Sequence, residues 1–330
     1  MERMEHLEQF KPTVDLFSPD FDYKAYLLKK QQEVQEHPLY KRFVEMNPSM
    51  ENPAVKERVL KQATMLLDYF HSQEVCHECT GLSSCPCQHG KGNQQHCAVD
   101  EIGNLNYSLS YCRHKKQHLE DTAYIQRFIL SDRSTEDYKI CFDQVNDTYP
   151  LEQSDNYKKA QDALIRSLGQ NEKGVLLYGD IGVGKTYLCQ ALANEYAKQG
   201  NTVGFMQMQE LVERVKQEFD KPAEKGNVLR LAQTCDVLFL DDLGAEMMTA
   251  YNRDAILMKI LDSRALQKKK TYITTNLDQS NYSQESFVQH YADRNYAGDV
   301  VSDLPGARLY DRIRALTVPI CIQGSSARGR

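Results

Sequence analysis

No stretch of this chain constrains its fold more than Gly179-Asp180-Ile181-Gly182-Val183-Gly184-Lys185-Thr186, which fits the pattern G-x-x-x-x-G-K-[ST]. An apolar run, Val175–Tyr178, enters the segment. A helical pattern leaves it, with Leu188, Leu192 and Tyr196 on one face and Gly200 near the stop. Glycines at a strand-to-helix turn let backbone N–H groups wrap a phosphate, and the helix N-terminus adds a favourable dipole. Lys185 neutralises phosphate charge, and Thr186 can ligate Mg²⁺. The eight residues Gly179, Asp180, Ile181, Gly182, Val183, Gly184, Lys185 and Thr186 therefore point to ATP as the ligand.

A loop of this kind needs a parallel sheet behind it, and the second half of the chain has the pattern for one. Short apolar runs alternate with helical segments at Val175–Tyr178, Val203–Met206, Val237–Leu240, Tyr272–Thr275 and Val318–Ile322. Strands separated by helices imply right-handed crossovers, so the expectation is an α/β domain with a mostly parallel sheet of five strands. The third run ends in Asp241-Asp242 at the edge where open α/β sheets bind ligands. Asp241 is expected to hold Mg²⁺ and Asp242 to orient the attacking water. The fourth run ends in Asn276, whose amide could reach the γ-phosphate or that water.

The first half reads differently. Val55, Val59, Ala63, Leu66, Leu67 and Phe70 recur at three- and four-residue steps and predict one buried helical face, with Pro48 and Pro53 at its entry. A length of 330 residues suits two domains. The expected division is 1–135 and 136–330, with the connection in the polar stretch 131–150. The sequence has no apolar run of about 18 residues and no apolar N-terminal leader, so the expectation is a cytoplasmic protein without a membrane partner. A net charge of −6 argues against coating duplex DNA by charge alone. The basic stretch 324–330 is expected to be mobile.

Six of the ten cysteines, Cys76, Cys79, Cys85, Cys87, Cys97 and Cys112, fall in one segment beside His89 and His96. In a cytosolic chain that clustering suggests metal before disulfides. The Cys76-x-x-Cys79 knuckle could supply two thiolates of a tetrahedral Zn²⁺ site, with a distant pair closing it. Cys141, Cys189, Cys235 and Cys321 are expected to pack as small apolar residues.

Taken in order, the loop at Gly179–Thr186, Leu240-Asp241-Asp242-Leu243-Gly244-Ala245-Glu246, Thr274-Thr275-Asn276 and Ala307-Arg308-Leu309-Tyr310-Asp311-Arg312-Ile313 resemble the DnaI/DnaC family of bacterial replicative helicase loaders. The resemblance extends to Met247, Thr249, Arg253 and Asp254. It covers the second half firmly, and over the first half it rests on the cysteine placement and a helical lead-in. It implies an AAA+ ATPase domain in which Asn276 is the sensor-1 residue and Arg312 the arginine finger, with the neighbouring Arg308 as the alternative finger. It also implies that His96 and Cys112 join Cys76 and Cys79 as zinc ligands, although Cys85, Cys87 or Cys97 could replace His96, or a second metal could bind.

Two departures from general AAA+ enzymes matter. Asp242 stands where a catalytic Glu is usual, and only 18 residues follow Arg312, which predicts no helical lid. The family implies a small helical, zinc-binding domain that grips a hexameric replicative helicase. It also implies an ATPase domain that binds single-stranded DNA and self-associates when assembled. Arg214 and Lys216 are candidates for DNA backbone contact, and Lys268–Lys270 reads as a solvated helix end. Rival readings are the ATP-binding subunit of a transposition system and a small-molecule P-loop kinase. The kinase would need a substrate-binding insert, and the Asn276 and Arg312 motifs would be accidental.

Overall fold

The computed structural model describes residues 22–143, 155–169, 173–218, 226–277, 284–324 and 326. Residues 144–150 of the expected connection and all but Gly324 and Ser326 of the basic tail lie outside them. Two compact units divide the chain, Met1–Asp121 and Thr122–Arg330. The expected boundary at 135/136 lies too far along the chain, because residues 128–131 belong to the sheet of the second unit.

Among the described residues, the first unit opens with four α-helices, α1 (Tyr23–Glu36), α2 (Tyr40–Met46), α3 (Pro53–Leu60) and α4 (Ala63–Glu78). Asn52 caps α3 by accepting from the Ala54 N–H, and Pro53 sits in its first turn, where a missing N–H costs nothing. The expected apolar face is there: Val55, Val59, Ala63, Leu66 and Phe70 are all buried, around Val34, Phe43 and Met50. The single helix expected over it is broken in two at Lys61 and Gln62. The Gln62 amide donates to Gly103 O at 2.8 Å, tying the break to the turn of a hairpin. That hairpin, β1 (Asn93–Val99) against β2 (Leu105–Tyr111), lies inside the cysteine-rich segment, and helix α5 (Arg113–Thr122) follows it.

The second unit is built on a sheet of six strands rather than five. These are β3 (Phe128–Ser131), β4 (Gly174–Gly179), β5 (Val203–Gln207), β6 (Val237–Leu243), β7 (Lys270–Thr275) and β10 (Thr317–Ile322). Their order is β10-β4-β7-β6-β5-β3, with every neighbouring pair parallel. All five expected strands form. The sixth, β3, is a four-residue edge strand hidden in a charged stretch. A separate two-stranded ribbon joins β8 (Asp293–Arg294) and β9 (Val300–Ser302).

Strand periodicity explains the two cores. Val175, Leu177, Val203, Phe205, Val237, Phe239 and Tyr272 pack on one face, with helices α6 (Asp155–Arg166) and α7 (Lys185–Lys198). Leu176, Met206, Leu238, Leu240 and Ile273 point to the other. There they meet α8 (Met208–Gln217), α9 (Asn227–Thr234), a π-helical turn (Tyr251–Met258) running into α10 (Lys259–Leu266), α11 (Gln284–His290) and α12 (Leu304–Leu316). Both faces are covered, so the strands read as continuous apolar runs. Among the described residues no helix is long and apolar enough to cross a membrane.

Candidate functional site

The strand order decides which side chains can meet. With β7 between β4 and β6, the C-terminal ends of all three open on one edge. The glycine loop after β4, Asn276 after β7 and the two aspartates of β6 become neighbours, as ligand binding at that edge requires. Gly179 ends β4 with φ +126°, and a Cβ there would lie 2.0 Å from Ile322 O on β10, so glycine is needed for both conformation and space. Helix α7 starts at Lys185, directly after Gly184 at φ +95°.

Lys185 is buried, and its ammonium donates to Gly179 O at 3.0 Å, Asp180 O at 2.8 Å and Asn276 Oδ1 at 2.7 Å. The other end of the same amide, Asn276 Nδ2, donates to Asp242 Oδ1 at 3.0 Å. Asn276 thus connects Lys185, the lysine expected to face the phosphates, to the carboxylate expected to handle water. Asp242 has φ +53°, unusual for a residue other than glycine, and its backbone N–H is held by Thr274 Oγ1 at 2.9 Å.

Asp241 is buried behind it. Thr274 Oγ1 donates to its Oδ1 at 2.6 Å, and Thr186 Oγ1 lies 3.0 and 3.2 Å from its two oxygens. Burial pushes the Asp241 carboxyl up to about 6 and the neighbouring Asp242 charge adds to this, while the Thr274 and Thr186 hydroxyls work against it. A hydroxyl beside a carboxylate at this distance is an all-oxygen donor set that suits Mg²⁺. Sequence reasoning gave no separate role to Thr274, which orients both aspartates. The available signal was polar residues in a buried strand: Thr271, Thr274 and Thr275 are all buried on β7.

The structure brings together Lys185, Thr186, Asp241, Asp242 and Asn276. Arg312 is elsewhere, on α12, which runs directly into β10. Its Nε donates to Asp262 Oδ1 at 2.5 Å and its Nη1 to Asp311 Oδ2 at 3.0 Å. The candidate DNA contact Arg214 is engaged internally by Glu210 at 2.7 Å and Ser131 O at 3.2 Å. Lys269 and Lys270 are not a solvated helix end. Lys269 donates to Thr234 O, and Lys270, already in β7, donates to the carbonyls of Ser167 and Gly169.

In the first unit, Cys76 lies in the last turns of α4 and Cys79 at its C-cap. Burial raises the Cys76 thiol to about 11, with Cys87, Cys85 and Cys112 as its interacting neighbours. Cys85 accepts from Gly92 N–H, and Cys87 donates to Asn93 O. Cys97 points into the apolar core, and His96 Nε2 is 2.7 Å from Ser110 Oγ on β2. The same open cavity, of about 760 Å³, is lined by Cys76, Cys79, Cys85, His96 and Cys112. Among the described residues, however, no three or more His, Cys, Asp or Glu side chains are arranged to hold a metal ion.

Residues 138–295 match the family model described as IstB-like ATP binding protein. The chain is 31% identical over 219 residues to the replicative helicase loader DnaI of Bacillus subtilis, a match covering 65% of this chain and 64% of that protein. It therefore spans somewhat less than two thirds of the loader's length. A Mycobacterium tuberculosis protein described as an ATP-binding protein in an insertion sequence is 30% identical over 133 residues, covering 36% of this chain and 47% of that one. A solved structure of DnaI is 29% identical, covers 58% of this chain and 95% of that chain, and superposes with a TM-score of 0.48.

Proposed function

We propose that the chain is an ATP-controlled loader of a replicative DNA helicase, in which residues 138–295, matched by the IstB-like ATP binding model, serve as an ATP-binding domain on an AAA+-type α/β fold. The observation that carries the proposal is the likeness to DnaI over 219 residues. The insertion-sequence ATP-binding protein supports a second reading, a transposition subunit, but its match is shorter, at 133 residues.

The residues take roles that their geometry suits. ATP draws the Lys185 ammonium from Asn276 Oδ1 to the β/γ phosphates, and the backbone N–H groups of 179–186 wrap the phosphate chain. Thr186 and Asp241 would hold the Mg²⁺, which would neutralise charge on the phosphate oxygens. Asp242 orients the attacking water, and Asn276, released by Lys185, keeps Asp242 in place and registers the γ-phosphate. Arg312 completes the site of another copy of the chain. Its support is a half-exposed guanidinium on a different helix from the residues around Lys185.

A zinc-binding first unit is the finer part of the proposal. Its support is the concentration of thiols around Cys76, and the side chains as arranged do not form a metal cage. The ligand set Cys76, Cys79, His96 and Cys112 belongs to this reading. The Ser110 contact of His96 and the closeness of Cys85 and Cys87 to Cys76 favour a thiol in place of His96. Single-stranded DNA is the second proposed partner.

Co-purification tests the loader reading. Tagged full-length chain should retain the hexameric replicative helicase of its own cell. Recovery of a transposase instead would replace the loader with the transposition reading.

A further inference from the structure

Arg312 is the one proposed catalytic side chain whose orientation the ATP site does not itself fix. Both ends of its main contact are fixed elsewhere. On α12, Arg312 lies between Leu309 and Ile313, whose side chains are in the core. On α10, Asp262 follows Ile260 and Leu261, both fully buried. Two residues on, Arg264 is fully buried and ties α10 to the sheet, donating to Thr271 Oγ1 at 2.9 Å, Ala232 O at 3.0 Å and Cys235 O at 2.9 Å. The Asp262 carboxylate is thus carried by a helix that cannot easily shift against β7 and α9.

We infer that Asp262 is a positioning residue for Arg312, setting the direction in which the guanidinium is presented to the nucleotide of a second copy of the chain. This rests on the proposal that Arg312 acts between copies. Asp262 takes Nε at 2.5 Å and Asp311 takes Nη1 at 3.0 Å, leaving Nη2 for an incoming phosphate oxygen. The Arg312 and Asp262 side chains are 42% and 45% exposed, so the pair adds little to the stability of the fold. Its value lies in orientation. A long side chain held in one rotamer before assembly loses less freedom when it meets the phosphate, and a donor misplaced by about 1 Å forfeits much of its effect. Asp262 lies on the same run of chain as Asp241 and Asp242, through the π-helical turn and α10, so one segment carries both the hydrolytic carboxylates and the support of the finger.

The test uses full-length chain. ATPase turnover per chain is measured against chain concentration, with ATP affinity measured at low concentration and melting temperature recorded for each variant. Arg312→Ala should abolish the rise of turnover with concentration. Asp262→Ala should lower the plateau by about tenfold while leaving ATP affinity and melting temperature near wild type, and Asp262→Glu should restore part of the loss. An Asp262→Ala plateau at or above wild type, with Arg312→Ala still inactive, overturns the positioning role alone. Turnover that does not rise with concentration, or that Arg312→Ala leaves intact, overturns the underlying finger reading and this inference with it.

Discussion

At the scale of single residues, the ATP site is built as a chain of polar contacts with Asn276 in the middle. Its carbonyl holds Lys185 and its amide holds Asp242, so each neighbour's position depends on the other through one side chain. Removing either end should have separable effects. Lys185→Ala removes the charge that faces the phosphates and should weaken binding of Mg²⁺–ATP at least about a hundredfold, an electrostatic contact of roughly 3 kcal/mol in a partly buried site. Asp242→Asn keeps the shape and the contact with Asn276 but loses the carboxylate charge. It should bind ATP nearly as wild type and hydrolyse it at least about a hundredfold more slowly. Equilibrium binding of a fluorescent ATP analogue, together with phosphate release, separates the two. Wild-type hydrolysis by Asp242→Asn would remove that carboxylate from its role.

At the scale of elements, what places the site is the passage of β7 between β4 and β6 and the closure of β10 over β4. The contact between Gly179 and Ile322 is the tightest expression of that closure. Gly179→Ala has to push β10 away while also straining a φ of +126°. It should cost about 2 kcal/mol of stability in urea denaturation and weaken ATP binding at the same time. An alanine variant as stable as wild type would mean that β10 yields freely.

Much of this level was legible in the amino-acid pattern. Val237–Leu240 and Tyr272–Thr275 could only be buried parallel strands, and their polar ends had to share an edge with the glycine loop. What was hidden had weaker signals. Strand β3 has four residues and a single buried side chain, Leu130, the hairpin lacks a clean alternation, and the α3–α4 break depends on a Gln62 contact 41 residues away in sequence. The Lys185–Asn276–Asp242 connection is tertiary, and no spacing encodes it. Asp262 gave no signal at all, because an acidic residue on a helix face is ordinary until its partner is known.

At the scale of the whole molecule, two separate units suit a protein with separate tasks. The proposal assigns partner recognition to Met1–Asp121 and the ATP-dependent step to Thr122–Arg330. The metal reading belongs to the first unit and has a direct check. Elemental analysis of full-length chain purified without chelator should find one zinc per chain, and Cys76→Ser should release it; chain without zinc ends that part of the account. The central claim is that ATP bound at Lys185 controls placement of a helicase ring on DNA. The most direct measurement mixes full-length chain, the hexameric replicative helicase of the same cell, ATP and closed circular single-stranded DNA, and then scores helicase retained on the circles. Wild-type chain should raise the retained helicase several-fold over helicase alone, and Lys185→Ala should not. Equal retention with wild-type chain, with Lys185→Ala and with no chain at all would contradict the account.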